Sequence, residues 1–92
     1  MTTTATPTAQ HVSENVAALL FRARMSQRDL ARATGIAPKT INGKMLGESD
    51  WKTSDLDIIG NALYVSAAEL VGTLPDREEW EQRRSASSTT RW

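Results

Sequence analysis

The 92-residue chain has no cysteine and a single histidine, His11. Without thiols there are no disulfides and no thiolate metal sites, which fits a reducing cytoplasm. One imidazole alone argues against a histidine-based metal centre or a catalytic triad, so no metal and no cofactor is expected. No apolar run approaches the ~20 residues of a membrane span, and no basic-then-apolar leader precedes the first helix. Internal repeats and strand patterns are missing. So are a paired nucleophile and base and a phosphate-cradling glycine loop, which makes an enzyme the least supported class.

An excess of either charge is missing too: the formal net charge is +0. Divided along the chain, the balance is uneven. Residues 22–52 carry seven basic side chains against three acidic ones, and residues 53–92 carry four against seven. Glu14 accounts for the remaining negative charge. The cationic stretch contains Arg22, Arg24, Arg28, Arg32, Lys39, Lys44 and Lys52. A surface that neutralises phosphates needs such an excess; a solvated mixed-charge surface is the plainer alternative.

What the cationic stretch does contain is a spacing. In SQRDLARATGIAPKTINGKML, residues 26–46, Leu30 and Ala31 precede Gly35, followed by Ile36 and Ile41. The small Ala31 allows close approach of a following helix, Gly35 supplies positive φ for a tight turn, and Ile36 and Ile41 pack back on Leu30. This is the helix-turn-helix layout, which projects its second helix toward a DNA major groove.

Around it the chain reads as all-α. Residues 1–10 are threonine-rich and are expected to be a disordered arm. Ser13, or a residue one turn earlier, caps a first helix with a Val12, Val16, Leu19, Leu20, Ala23 stripe. Ser26 caps a second helix with Asp29 in the capping-box position. Pro38 opens a third that turns Ile41 and Met45 inward and ends at Gly47. Thr53 or Ser54 caps a fourth, which buries Leu56, Ile59, Ala62 and Leu63. Ser66 and Glu69 form the capping box of a fifth, ended by Pro75. The expectation is a five-helix orthogonal bundle over 11–74, with 75–92 forming a short sixth helix and a loose tail. A core of ~60 residues suffices if it is helical and well packed.

On the third helix, Pro38, Lys39, Asn42 and Gly43 are the outward positions once Ile41 faces the core. Lys39 can donate to guanine O6 or N7, and Asn42 matches adenine N6 and N7 as a bidentate pair. Thr40 reaches a phosphate or a thymine methyl. Gly43 costs the helix about 1 kcal/mol relative to alanine, which close approach of a backbone would explain and which surface helices also simply tolerate. Gln27, with Arg28 beside it, can hold a phosphate at the start of the second helix, or simply be solvated there. Lys44 and Lys52 flank the third helix as clamps on the DNA backbone. Trp51 closes the core against the fourth helix or joins that clamp. Trp80, among charged residues, reads as a docking face toward its own domain or a second copy.

From about Val16 to Leu74 the chain resembles the lambda-repressor-like family, also called the Cro/C1 or xenobiotic-response-element type of helix-turn-helix domain. SQRDLA, TGI, APKTINGKMLG and WKTSDLDIIGNALYVSAAELVG carry the resemblance. It implies a phosphate-anchoring amide at Gln27 and base-reading positions at Ala37, Pro38, Lys39, Asn42 and Gly43. Lys44 stands where much of the family is apolar, so Met45 is expected to take its core contact while Lys44 turns to phosphate. The resemblance further implies a cytoplasmic, nucleoid-associated regulator of bacterial or phage origin, binding a double-stranded operator. With 18 residues after Leu74, a small Cro-like or immunity repressor fits better than a self-cleaving one. An antitoxin that grips a toxin through the Trp80 segment, a homodimer through that segment, and an interaction module that no longer binds DNA are the alternatives.

Overall fold

The computed structural model describes residues 7–88. Six helices follow one another: α1 (Pro7–Ala23), α2 (Gln27–Thr34), α3 (Pro38–Met45), α4 (Thr53–Leu63), α5 (Ala67–Val71) and α6 (Arg77–Ser88). There is no strand among the described residues. α1 packs on α4 and α5, α2 on α3 and α4, and α4 on α5.

Local signals in the sequence set most of the helix ends. The Ser26 hydroxyl accepts from the Asp29 N–H at 3.0 Å while Asp29 accepts from the Ser26 N–H at 3.0 Å, a closed capping box. Ser66 and Glu69 repeat it at α5. Gly35, at φ +80, ends α2 by donating to the Ala31 carbonyl at 2.8 Å. Pro38 is the first residue of α3, its φ already suited to a helix. α3 closes with a Schellman motif: Glu48 N–H donates to Gly43 O and Gly47 N–H to Lys44 O.

Four boundaries differ from the sequence expectation. α1 starts at Pro7, so residues 7–10 form its first turn; the remainder of the expected arm, residues 1–6, lies outside the described residues. Its start is anchored, since the His11 Nε2 hydrogen-bonds the Gly72 carbonyl and Val12 is buried. Ser13 is therefore an interior residue of α1, not its cap. α4 is capped at Lys52, one residue before Thr53, because Asp55 accepts the Lys52 N–H at 2.9 Å. α5 ends at Val71, four residues before Pro75, where the Gly72 N–H bonds Glu69 O. Residues 85–88, expected in the tail, extend α6; residues 89–92 are outside the described residues.

The core joins Val12, Val16, Leu19 and Leu20 of α1 to Leu30, Ala31, Ile41, Ile59, Leu63, Val65, Leu70 and Trp80. Trp80 is its largest fully buried side chain. The indole Nε1 donates to Leu63 O at 2.7 Å, and Arg83 donates to Tyr64 O at 3.1 Å, so α6 satisfies carbonyls at the C-terminal end of α4. Tyr64 meets the Trp80 ring edge-on at 6.3 Å between centroids, and the Arg84 guanidinium lies 5.4 Å from the Trp80 ring centroid. Of the two docking roles read for Trp80, the internal one holds. The indole is not an external handle for a toxin or a second subunit, because the C-terminus of α4 and the core already enclose it.

Candidate nucleic-acid interface

Ile41 is fully buried beneath α3 and ties it to Leu30 and Ala31 of α2. With that side fixed, Ala37, Pro38, Lys39, Thr40 and Asn42 are all exposed and Gly43 is half-buried. Ala37 caps α3 without a side-chain hydrogen bond. The N–H groups of Lys39 and Thr40 in the first turn therefore have no capping side chain, and point along the axis with the positive end of the helix dipole. Lys39 and Asn42, one turn apart, bring an ammonium and an amide to the same outward face.

Charge flanks that face on both sides. Gln27 begins α2 half-buried, with Arg28 exposed beside it. Arg32 follows one turn later, 3.7 Å from Asp29 and largely exposed. The Ser26 N–H and then its hydroxyl hold the Asp29 carboxyl below the usual carboxylate range. Arg28, Ala31, Arg32, Gly35, Ile36, Ala37 and Pro38 line an open depression of about 410 Å³ between α2 and the start of α3. On the other side Lys52 is exposed at the N-terminus of α4. A cation there opposes the dipole of its own helix, so its placement is not explained by helix stability.

Lys44 does not join this surface. It is buried at 6 % exposure, with its Nζ donating to Asp50 O at 2.8 Å and lying 3.0 Å from Asp55 Oδ2. Burial alone would raise the Asp55 pKa. The Lys52 N–H and the Lys44 ammonium outweigh it and lower the carboxyl below its ordinary value. The expected division of labour between Lys44 and Met45 is thus reversed. Lys44 occupies the inward position and Met45 packs only partly against the core, because Asp55 gives the ammonium a partner inside the fold.

The same corner holds contacts that sequence reasoning missed. Trp51 Nε1 donates to Ser13 Oγ at 2.9 Å, and Ser13 Oγ donates to Lys44 O at 3.2 Å. The C-terminal half of α3 is thereby tied to α1 and to the loop before α4. Trp51 has the packing role. An alanine Cβ built at Gly43 would stand 3.7 Å from Glu48 Oε1 and 3.9 Å from Ser49 Oγ, so that edge of α3 lies beside its own loop. The signal for the buried pair was present: a lysine at an apolar position, with an aspartate in the first turn of the next helix.

Among the described residues there is no cluster of three or more potential metal ligands, and no helix is long and apolar enough to cross a membrane. Comparison with curated proteins and with solved structures gives no match. The description Cro/C1-type HTH DNA-binding domain matches residues 15–76, two thirds of the chain, from mid-α1 to the residue before α6. With its turn glycine, buried Ile41 and outward Lys39 and Asn42 in place, the chain belongs to the Cro/C1-type helix-turn-helix DNA-binding family.

Proposed function

We propose that this protein is a sequence-specific transcriptional regulator, a small Cro-like or immunity repressor of bacterial or phage origin that acts by covering a promoter. The observation that carries this reading is the exposed Lys39–Asn42 face on a helix locked from behind by Ile41, with Arg28 and Lys52 exposed on either side. Lys39 and Asn42 supply direct base contacts. Ala37, Pro38 and Gly43 present little hydrogen-bonding capacity, so DNA shape and bridging water supply the rest of the discrimination. Gln27, Arg28 and Lys52 position the domain on phosphates. Lys44 is removed from the contact set proposed from sequence. The antitoxin reading loses its handle because Trp80 is internal.

Selection of binding sites from a random duplex pool, followed by titration at several salt concentrations, tests the proposal. One preferred sequence is expected, with affinity falling steeply with salt as roughly four to eight phosphates are contacted. Equal affinity for the selected and a scrambled duplex at physiological salt would refute it. Oligomeric state sets the form of the operator. A two-fold pair reads an inverted repeat with half-sites about 34 Å apart, whereas a monomer reads one asymmetric site. Sedimentation with and without the selected duplex distinguishes the two.

A further inference from the structure

Four large apolar side chains are exposed among the described residues: Phe21, Leu46, Ile58 and Val71. Three belong to α1, α4 and α5. Leu46 alone belongs to the reading unit, as the residue that caps the C-terminus of α3. It is 64 % exposed and is not among the partly buried hydrophobics packed against the core. With Lys39 and Asn42 it forms an i, i+3, i+7 series, the spacing that returns to one face of a helix.

Its position is also fixed. The Leu46 N–H donates to Asn42 O at 3.0 Å, and the Gly47 and Glu48 bonds of the Schellman motif close the chain immediately behind it. An exposed leucine on a hydrogen-bonded cap, in line with two outward polar residues, keeps most of its side chain open to an outside partner. In the major groove the apolar group that a base edge offers is the C5-methyl of thymine.

We propose that Leu46 is a specificity-determining residue that packs against a thymine methyl beyond the base read by Asn42. This rests on the DNA-reading role proposed above and adds to it a base and a chemical group. The contact is apolar and carries no charge, so it leaves the salt dependence of binding unaltered.

The test uses the full chain and its selected duplex. Each thymine is replaced in turn by deoxyuridine, which removes the methyl and leaves the Watson–Crick edge intact. At one thymine the wild-type protein is expected to lose about fourfold in affinity, corresponding to about 0.8 kcal/mol for one buried carbon group. Leu46→Ala, at an exposed site, is expected to bind the thymine duplex more weakly and to be indifferent to that replacement. Equal losses for wild type and Leu46→Ala at every thymine overturn the assignment. So does a preferred sequence with no methyl-sensitive thymine, while leaving the regulator reading intact. A pool that yields no preferred sequence overturns both.

Discussion

The Lys44 ammonium and the Asp55 carboxylate face each other at 3.0 Å beneath α3, with both side chains largely shielded from water. A charge that the family resemblance assigns to phosphate is held inward as part of the fold. Asp55 serves two helices at once, capping α4 through the Lys52 N–H and neutralising α3 through Lys44.

Asp55→Ala is therefore expected to cost about 3–5 kcal/mol, since it leaves an ammonium buried without its counter-charge. Lys44→Met strands the opposite charge, but the Asp55 carboxylate keeps its bond from the Lys52 N–H and the fuller share of solvent, so a smaller loss is expected. Urea titration of both variants measures this. Lys44→Met should also keep the salt slope of DNA binding, whereas Arg28→Ala should lower that slope by about one.

Lys39→Ala and Asn42→Ala should each cost about 1–3 kcal/mol on the selected duplex and relax preference at one base position. Repeating the site selection with each variant measures the relaxation. Loss of affinity that is uniform across sequences would assign the side chain to phosphate instead.

The residues matched to the family end one position before α6, yet α6 supplies the largest buried side chain, Trp80. Trp80→Ala is expected to destabilise the domain by about 3–5 kcal/mol. For a single small domain that is a large share of the total, so the variant should lose its cooperative thermal transition near room temperature. Circular dichroism melts give the answer directly.

Arg83 donates to both oxygens of Glu69, at 2.9 and 2.8 Å, and the Ser66 N–H adds a third bond. Arg83 first and Ser66 second lower the Glu69 pKa from 4.5 to about 2. A carboxyl depressed in the folded state stabilises fully above its ordinary pKa. That contribution fades as pH falls from about 4.5 toward about 2. Asp29 and Asp55 are lowered as well and act in the same direction. Melting temperature should drop over that acid limb, and Glu69→Gln should flatten it while lowering the neutral plateau.

One substitution should have opposite signs at two helical glycines. An added Cβ at Gly60 would stand 2.5 Å from Val65 O, in backbone that cannot move aside. Gly60→Ala is expected to disrupt the α4–α5 turn and lower the melting temperature. At Gly43 the nearest atoms are side-chain oxygens at ordinary contact distance. Gly43→Ala is expected to stabilise α3 by up to about 1 kcal/mol. Thermal melts of the two variants compare them.

Features decided within one turn of chain were legible in the sequence: the Ser26–Asp29 and Ser66–Glu69 boxes, the Gly35 turn, Pro38 at the head of α3, and Ile41 beneath it. Features decided by distant partners were not. For Trp80 the choice between its own domain and a second copy stayed open in the sequence, because its acceptor, Leu63 O, lies 17 positions away. Ser13 looked like a cap because its contact with Lys44 O spans 31 positions. Lys44 looked outward-facing because an ammonium at an apolar position needs a partner, and the one it has, Asp55, lies in the next helix. The outward positions of α3 were readable for the converse reason: they have few partners in the fold to compete for them.

The ties from Ser13 and Trp51 to the far end of α3 bear on how fast the protein works. Because the segment is already immobilised when the chain folds, its ordering entropy is not charged again at the encounter with a duplex. Association should then proceed in a single kinetic phase governed by diffusion and charge, with adaptation left to the nucleic acid.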